Sequence, residues 1–193
     1  MNNSEAFDPT RYGLSEEDLI PESIVQSVVA AAGGEVMGRI RLQKLVFLLD
    51  QLGLDSGFSY TYHHYGPYSS ELTHAADFAK AFGFVEEEFR HRNSDGARYS
   101  VFRKKTESGS RPRADFLENH EIQMAIGLIN SVNSTILELA ATVYWLKHVE
   151  ALNDWSDEIV KRKGTKIADG RLDKAIELLD KLNLSQATRF VET

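Results

Sequence analysis

At 193 residues, with 42% hydrophobic and 26% charged residues, the chain is long enough to bury the core of one large domain or two small ones. Its formal charge of −7 argues against a general nucleic-acid binder, and the lack of cysteine excludes disulfides, thiol nucleophiles and Cys-ligated zinc. The N-terminus has no basic and apolar signal regions and no run approaches the ~20 apolar residues that cross a bilayer, so a cytoplasmic location and no membrane contact are expected.

Residues 1–14 are polar and unpatterned, and residues 1–20 are expected as a flexible tail, with Ser15-Glu16-Glu17-Asp18 resembling a capped first turn. Pro21 suits the start of a helix whose apolar positions are Ile24, Val25, Val28, Val29 and Ala32, ending at Gly33-Gly34. A second helix carries the stripe Leu42, Leu45, Val46, Leu49 and Leu52, with Gly53 at its stop. Arg39, Arg41 and Lys44 stand at its start, where positive charge opposes the helix dipole. They are expected to serve a partner or to pair elsewhere in the chain.

Next comes the densest stretch of the chain, Tyr60 to Leu72. Phe58, Tyr60 and Tyr62 alternate with Ser59, Thr61 and His63 as in a strand with one apolar face. Tyr65-Gly66-Pro67-Tyr68 breaks that pattern, because Gly66 reaches backbone angles closed to other residues and Pro67 fixes φ and lacks an N–H. Ser69 or Ser70 can then cap a helix with apolar positions Leu72, Ala75, Ala76, Ala79 and Phe82. Two readings of this aromatic corner stand side by side: rings that close a core, or anchors that bind a partner.

Phe84–His91 and Ala97–Lys104 read as a hairpin around Asn93-Ser94-Asp95-Gly96. If Phe89 faces Tyr99, then Val85, Phe89, Ala97, Tyr99 and Val101 share one face, and Arg90, Arg92, Arg98 and Lys104 the other. Arg90 to Lys105 holds six basic residues against the single acid Asp95. Residues 106–114 have linker composition. Beyond them helices are expected at Asp115–Val132, at Ile136–His148 behind a Thr135/Glu138 capping box, after an Asp154 cap, and at Arg171–Leu182.

The expected class is therefore α+β, mostly α: a winged-helix-like half over 21–105 with the hairpin as its wing, a linker over 106–114, and a helical bundle over 115–193 packed on the first half. Two motifs carry a resemblance. Gly38 to Leu49, with Leu42-Gln43-Lys44 within it, followed by Tyr62-His63-His64-Tyr65-Gly66-Pro67-Tyr68-Ser69-Ser70-Glu71-Leu72, resembles the YwgA-like bacterial proteins and, more distantly, the Panacea domain of SocA-like antitoxins. It covers residues 24–104 well and the helical tail loosely. The resemblance implies a non-catalytic module that neutralises a toxin by binding it, or delivers it to a protease.

Enzyme chemistry finds little support. His63 and His64 are adjacent on a strand and face opposite sides, and Glu71 with His74 supplies one carboxylate–histidine pair where bridged sites use two. Ser69 and Ser70 near His64 lack a nucleophile elbow, and Gly33-Gly34 lacks the rest of a phosphate loop. No metal or cofactor is expected. Protein binding fits best, through Tyr62, His64, Tyr65, Gly66, Pro67, Tyr68 and Glu71, with a toxin-like or regulatory protein as partner and a homodimer left open. The alternative is a winged-helix DNA-binding regulator holding duplex DNA through Arg90, Arg92, Arg98 and Lys104.

Overall fold

A computed structural model of the chain describes residues 20–91, 93, 96–105 and 113–186. Residues 1–19 of the expected tail over 1–20, its capped turn and most of the 106–114 linker lie outside them, while Ile20 opens the first helix. The chain is α+β and mostly helical. In order it runs α1 (Ile20–Ala31), β1 (Glu35–Met37), α2 (Arg39–Gln51), β2 (Thr61–His63), β3 (Gly66–Tyr68), α3 (Ser70–Ala81), β4 (Val85–His91), β5 (Arg98–Lys104), α4 (Ala114–Glu118), α5 (His120–Ser131) and α6 (Ser134–Tyr144). A π-helical turn, Trp145–Val149, extends α6, and α7 (Trp155–Lys163), a 3-10 turn (Gly164–Ile167) and α8 (Arg171–Lys181) follow.

Two antiparallel sheets stand among the helices: a three-stranded sheet of order β1-β5-β4, and the small β2–β3 hairpin. Strand β1 was not expected. Three residues between two glycine stops are too few to show a period, and Glu35–Met37 becomes a strand by pairing with Val101–Arg103 of β5. The β4–β5 register also differs from expectation by one residue. Phe89 lies opposite Ser100, and Arg90 opposite Tyr99. A shift of one exchanges faces: Phe89, Ser100, Phe102 and Val85 share the face that also holds Arg98 and Lys104, while Arg90 and Arg103 share the other with Tyr99 and Val101. The basic residues are thus divided between two faces and do not form one stripe. Phe89 is 50% exposed, so it did not fix the register by burial.

One apolar core runs through both halves. Leu45, Val46, Leu48 and Leu49 of α2 meet Leu137, Leu139, Ala140 and Ala141 of α6 within it, and Ala175, Leu178 and Leu179 of α8 belong to the same cluster. Helix α6 is buried from Ile136 to Tyr144, as its apolar circumference predicts. Its cap is Asn133, whose Oδ1 accepts from the Ile136 N–H at 3.0 Å, and not Thr135. Glu138 is engaged elsewhere. The helix expected over Asp115–Val132 breaks at Asn119, whose side chain accepts from the Glu121 N–H and starts α5 afresh. Asp154 precedes α7 as expected, but it caps through its backbone carbonyl and makes no side-chain cap.

Candidate interaction site at the glycine-proline hairpin

The two motifs of the resemblance are one structural unit. Gln43 of α2 donates from Nε2 to the Ser69 carbonyl at 2.8 Å, and its Oε1 accepts from the Ser69 N–H at 2.8 Å. A side-chain amide thereby pairs with the backbone as a neighbouring strand would. The next residue, Lys44, is 1% exposed and donates from Nζ to the Pro67 carbonyl. Pro67 and Ser69 are buried, so their polar groups need partners inside the protein, and Gln43 and Lys44 supply them. Ser69 in turn accepts at Oγ from the Leu72 N–H and starts α3.

Gly66 is required twice. Its φ of +86° disfavours any side chain, and a Cβ there would stand 2.8 Å from Thr142 Oγ1 of α6. That hydroxyl is itself fixed, donating to the Glu138 carbonyl at 2.8 Å. The hairpin therefore sits on α6 with no room between them.

Beside this contact lies a cluster of lysines around one carboxylate. Lys163 of α7 donates to Glu138 Oε1 and to the His64 carbonyl, each at 2.9 Å. Lys166 bonds both Glu138 oxygens at 2.9 and 3.0 Å. Burial works against ionisation of Glu138, but Lys166 and Lys163 outweigh it and hold the carboxyl below its usual range. Burial pushes the Lys44 amine down to about 8 and is opposed in part by Glu138. The Lys163 amine is lowered for the same reason. Arg162 stacks 4.5 Å from the Tyr62 ring while bonding Glu150 through both terminal nitrogens at 2.8 and 2.7 Å. The Tyr62 hydroxyl is buried, with Thr142 and Arg162 nearby and no hydrogen bond of good geometry to either.

The residues expected at a binding surface divide accordingly. Gly66 and Pro67 are buried and fix the shape of the hairpin. Tyr62 and Tyr68 are half-buried, and Tyr68 stacks on His63 with centroids 4.7 Å apart. His64 and Tyr65 are exposed at the hairpin tip, their rings edge to face, with Lys166 Nζ 4.8 Å from the Tyr65 centroid. Glu71, also exposed, accepts from the Ser59 N–H at 2.7 Å. The aromatic corner is thus packed below and open at the tip.

The cations at the start of α2 all have partners within the chain. Arg39 binds Glu87 and Asp77, and Arg41 donates to the carbonyls of Ile129 and Val132 at the end of α5. On the wing, Arg90 pairs with Glu35 and Glu88, as does Arg103, while Arg98 lies over the Phe89 ring. Arg92 lies outside the described residues. Among the described residues no three His, Asp or Glu side chains are grouped to hold a metal ion. In the sequence Gln43 stands out only as part of a motif and Glu138 only as part of a cap, and nothing there marks Thr142 or Lys163 as groups that meet the hairpin. Their signal was present in part, as polar residues set in the otherwise apolar stretches of α2 and α6.

No protein-family profile matches the chain. It is similar to the uncharacterized protein YwgA of Bacillus subtilis, 26% identical over 159 residues that cover 80% of this chain and 92% of that protein. It is also similar to a DNA ADP-ribosyl glycohydrolase of Thermus aquaticus, 28% identical over 131 residues that cover 64% of this chain. The chain matches 34% of that enzyme's length. The likeness of this chain is therefore to YwgA nearly end to end, and to the enzyme over about a third of it.

Proposed function

We propose that the chain is a non-catalytic module that acts by holding another protein, with the tip of the β2–β3 hairpin as its contact surface. The observation that carries this reading is the way the hairpin is held. Gln43, Lys44, Lys163 and Glu138 are bonded to its backbone or to one another, which leaves a stiff platform presenting His64, Tyr65 and the Lys166 amine. Rigid aromatic anchors beside a cation lose little entropy on binding and are common at interface hot spots. The comparisons support a module: a unit of this kind is nearly the whole of YwgA and matches a third of a longer enzyme. A toxin-like partner is what the Panacea resemblance adds, on the strength of the Leu-Gln-Lys and Tyr-Gly-Pro motifs.

Co-expression with the product of the neighbouring reading frame tests this directly. The expected result is co-purification, lost in the double variant His64→Ala, Tyr65→Ala while the variant's melting temperature stays unchanged. Retention of the partner by that variant sinks the hairpin tip as the contact surface.

A second reading, a winged-helix DNA-binding regulator, has one specific observation in its favour. Strand β1 puts two helices, α2 and α3, between the first strand and the hairpin, and the order β1-β5-β4 is that of a winged-helix sheet, with β2–β3 as an insertion. The chemistry is less favourable. Arg90 is held by two carboxylates, and α3 presents Glu71, His74 and Asp77 where base-reading side chains would be needed. Retention of duplex DNA on a filter, compared with the Arg90→Ala and Arg98→Ala variants at low and moderate salt, separates the two readings. Retention that falls with those substitutions and with salt favours DNA.

A further inference from the structure

The inner face of the wing overhangs the start of α2, and between them runs a groove of about 840 Å³ that the hairpin-tip reading does not use. Its apolar lining is unusually open: Ile40 is 37% exposed and Phe89 50%, with Met37, 51% exposed, at the rim where β1 ends. Apolar side chains of this size, gathered in one concave place, mark a contact surface more often than isolated exposed residues do.

The groove is lined by three arginines and by no carboxylate among the described residues; one of the three, Arg39, is already bound to Glu87 and Asp77. Arg98 lies over the Phe89 ring, 3.7 Å from its centroid, and pairs with no carboxylate among the described residues. Arg41 forms one wall, and its charge faces only the carbonyls of Ile129 and Val132, while its buried Nε–H has no acceptor. The floor is the first turn of α2, whose N-cap is Gly38; no side chain caps it and no acid stands in it. A helix of 13 residues directs its positive end into this space. Contrast the opposite face of the same sheet, where Glu35 and Glu88 neutralise Arg90 and Arg103.

We propose that this groove binds a short acidic segment of a partner protein that carries an aromatic or large aliphatic side chain between carboxylates. The apolar side chain would pack between Ile40 and Phe89, and the carboxylates would meet Arg98 and the free N–H groups of α2. Arg98, with no carboxylate partner among the described residues, and an apolar lining suit such a peptide better than a nucleic acid, which brings one phosphate per nucleotide and asks for a longer basic track. This surface is separate from the hairpin tip, and the proposal stands whether or not the tip binds a protein.

The test is fluorescence anisotropy with the full chain and a fluorescein-labelled peptide, Gly-Asp-Glu-Phe-Asp-Glu-Leu-Gly, against the same peptide with Asn and Gln for its acids. Saturable binding is expected for the acidic peptide only, weaker at higher salt. Phe89→Ala and Arg98→Glu should each weaken it at least about tenfold. Both side chains are exposed, so circular dichroism should find the variants folded. Tyr65→Ala should bind as the unchanged chain does.

Several results overturn the proposal. One is no saturable binding, or equal binding of the neutral peptide. Another is indifference to both groove substitutions, or a loss caused by Tyr65→Ala. A third is displacement by duplex DNA with the same dependence on Phe89, which assigns the groove to nucleic acid. The last is binding that appears only when residues 1–19 are removed, which assigns it to the chain's own acidic N-terminal segment.

Discussion

The β2–β3 hairpin and the β4–β5 wing both attract attention in the sequence, one by its aromatic rings and the other by its basic residues, and the structure treats them in opposite ways. The hairpin is fixed from beneath by groups far away in the chain: Gln43, Lys44, Thr142 and Lys163. The outer face of the wing is balanced within its own sheet, Arg90 and Arg103 against Glu35 and Glu88, in contact with solvent. Density of chemistry in a stretch of sequence therefore says little by itself. What matters is which groups are already engaged and how much water reaches them.

This contrast predicts where the protein breaks. Gly66→Ala should be the most damaging change, costing roughly 3–5 kcal/mol, because it adds strain at positive φ to a steric clash with Thr142. Urea denaturation reads the loss. Adding Thr142→Ala should recover part of it, since the clash goes and the backbone strain stays. No recovery would mean that the tight contact with α6 is not what demands glycine.

Glu138→Gln should come next, at roughly 2–4 kcal/mol, since Lys163 and Lys166 lose their shared counter-charge and Lys163 is buried. Because the Glu138 carboxyl lies below its ordinary range in the folded protein, its contribution is present above the unfolded carboxyl value and is lost as pH falls through the folded one. The unchanged chain should thus lose stability in acid more steeply than the Gln variant.

Lys44 tests the same site from the alkaline side. With its amine at about 8 in the folded state against 10.5 for an ordinary lysine, the folded protein holds fewer protons than the unfolded chain in that window. Stability should rise with pH between the two values. Measured against Lys44→Met across that range, the unchanged chain should gain on the order of 2 kcal/mol relative to the variant. Parallel pH profiles would show that Lys44 is not desolvated as described.

The wing should give the smallest effect. Arg103→Ala removes bonds to Glu35 and Glu88, yet the side chain is partly exposed, so less than about 1 kcal/mol is expected, vanishing in high salt. The hairpin variants should keep their full effect in the same salt. If the wing variant matched them, the distinction drawn between the two regions would fail.

Much of this was legible in the sequence because it is local. The α2 stripe, Gly66, the Ser69 cap and the two strands of the wing each announce themselves within a few residues. The rest depends on distant partners. Strand β1 exists only because β5 lies beside it, and the wing register was misjudged because Phe89 was assumed to be buried. Asn133 and Thr135 both had cap chemistry, and the choice fell to Asn133 while lysines from α7 and the turn after it took Glu138. That Gln43 and Lys44 hold Pro67 and Ser69 could be suspected from two motifs standing together, but only the fold brings them into contact.

Those long-distance bonds also bear on time. His64 and Lys163 are 99 residues apart in sequence, and Arg41 and Val132 are 91 apart. Ends so far separated meet slowly, and until they do Lys44 has nowhere dry to lie and α6 keeps an oily surface in water. A chain emerging from the ribosome would wait for α6 and α7 before its hairpin could set, so a fragment ending at Lys105 should aggregate where the full chain folds.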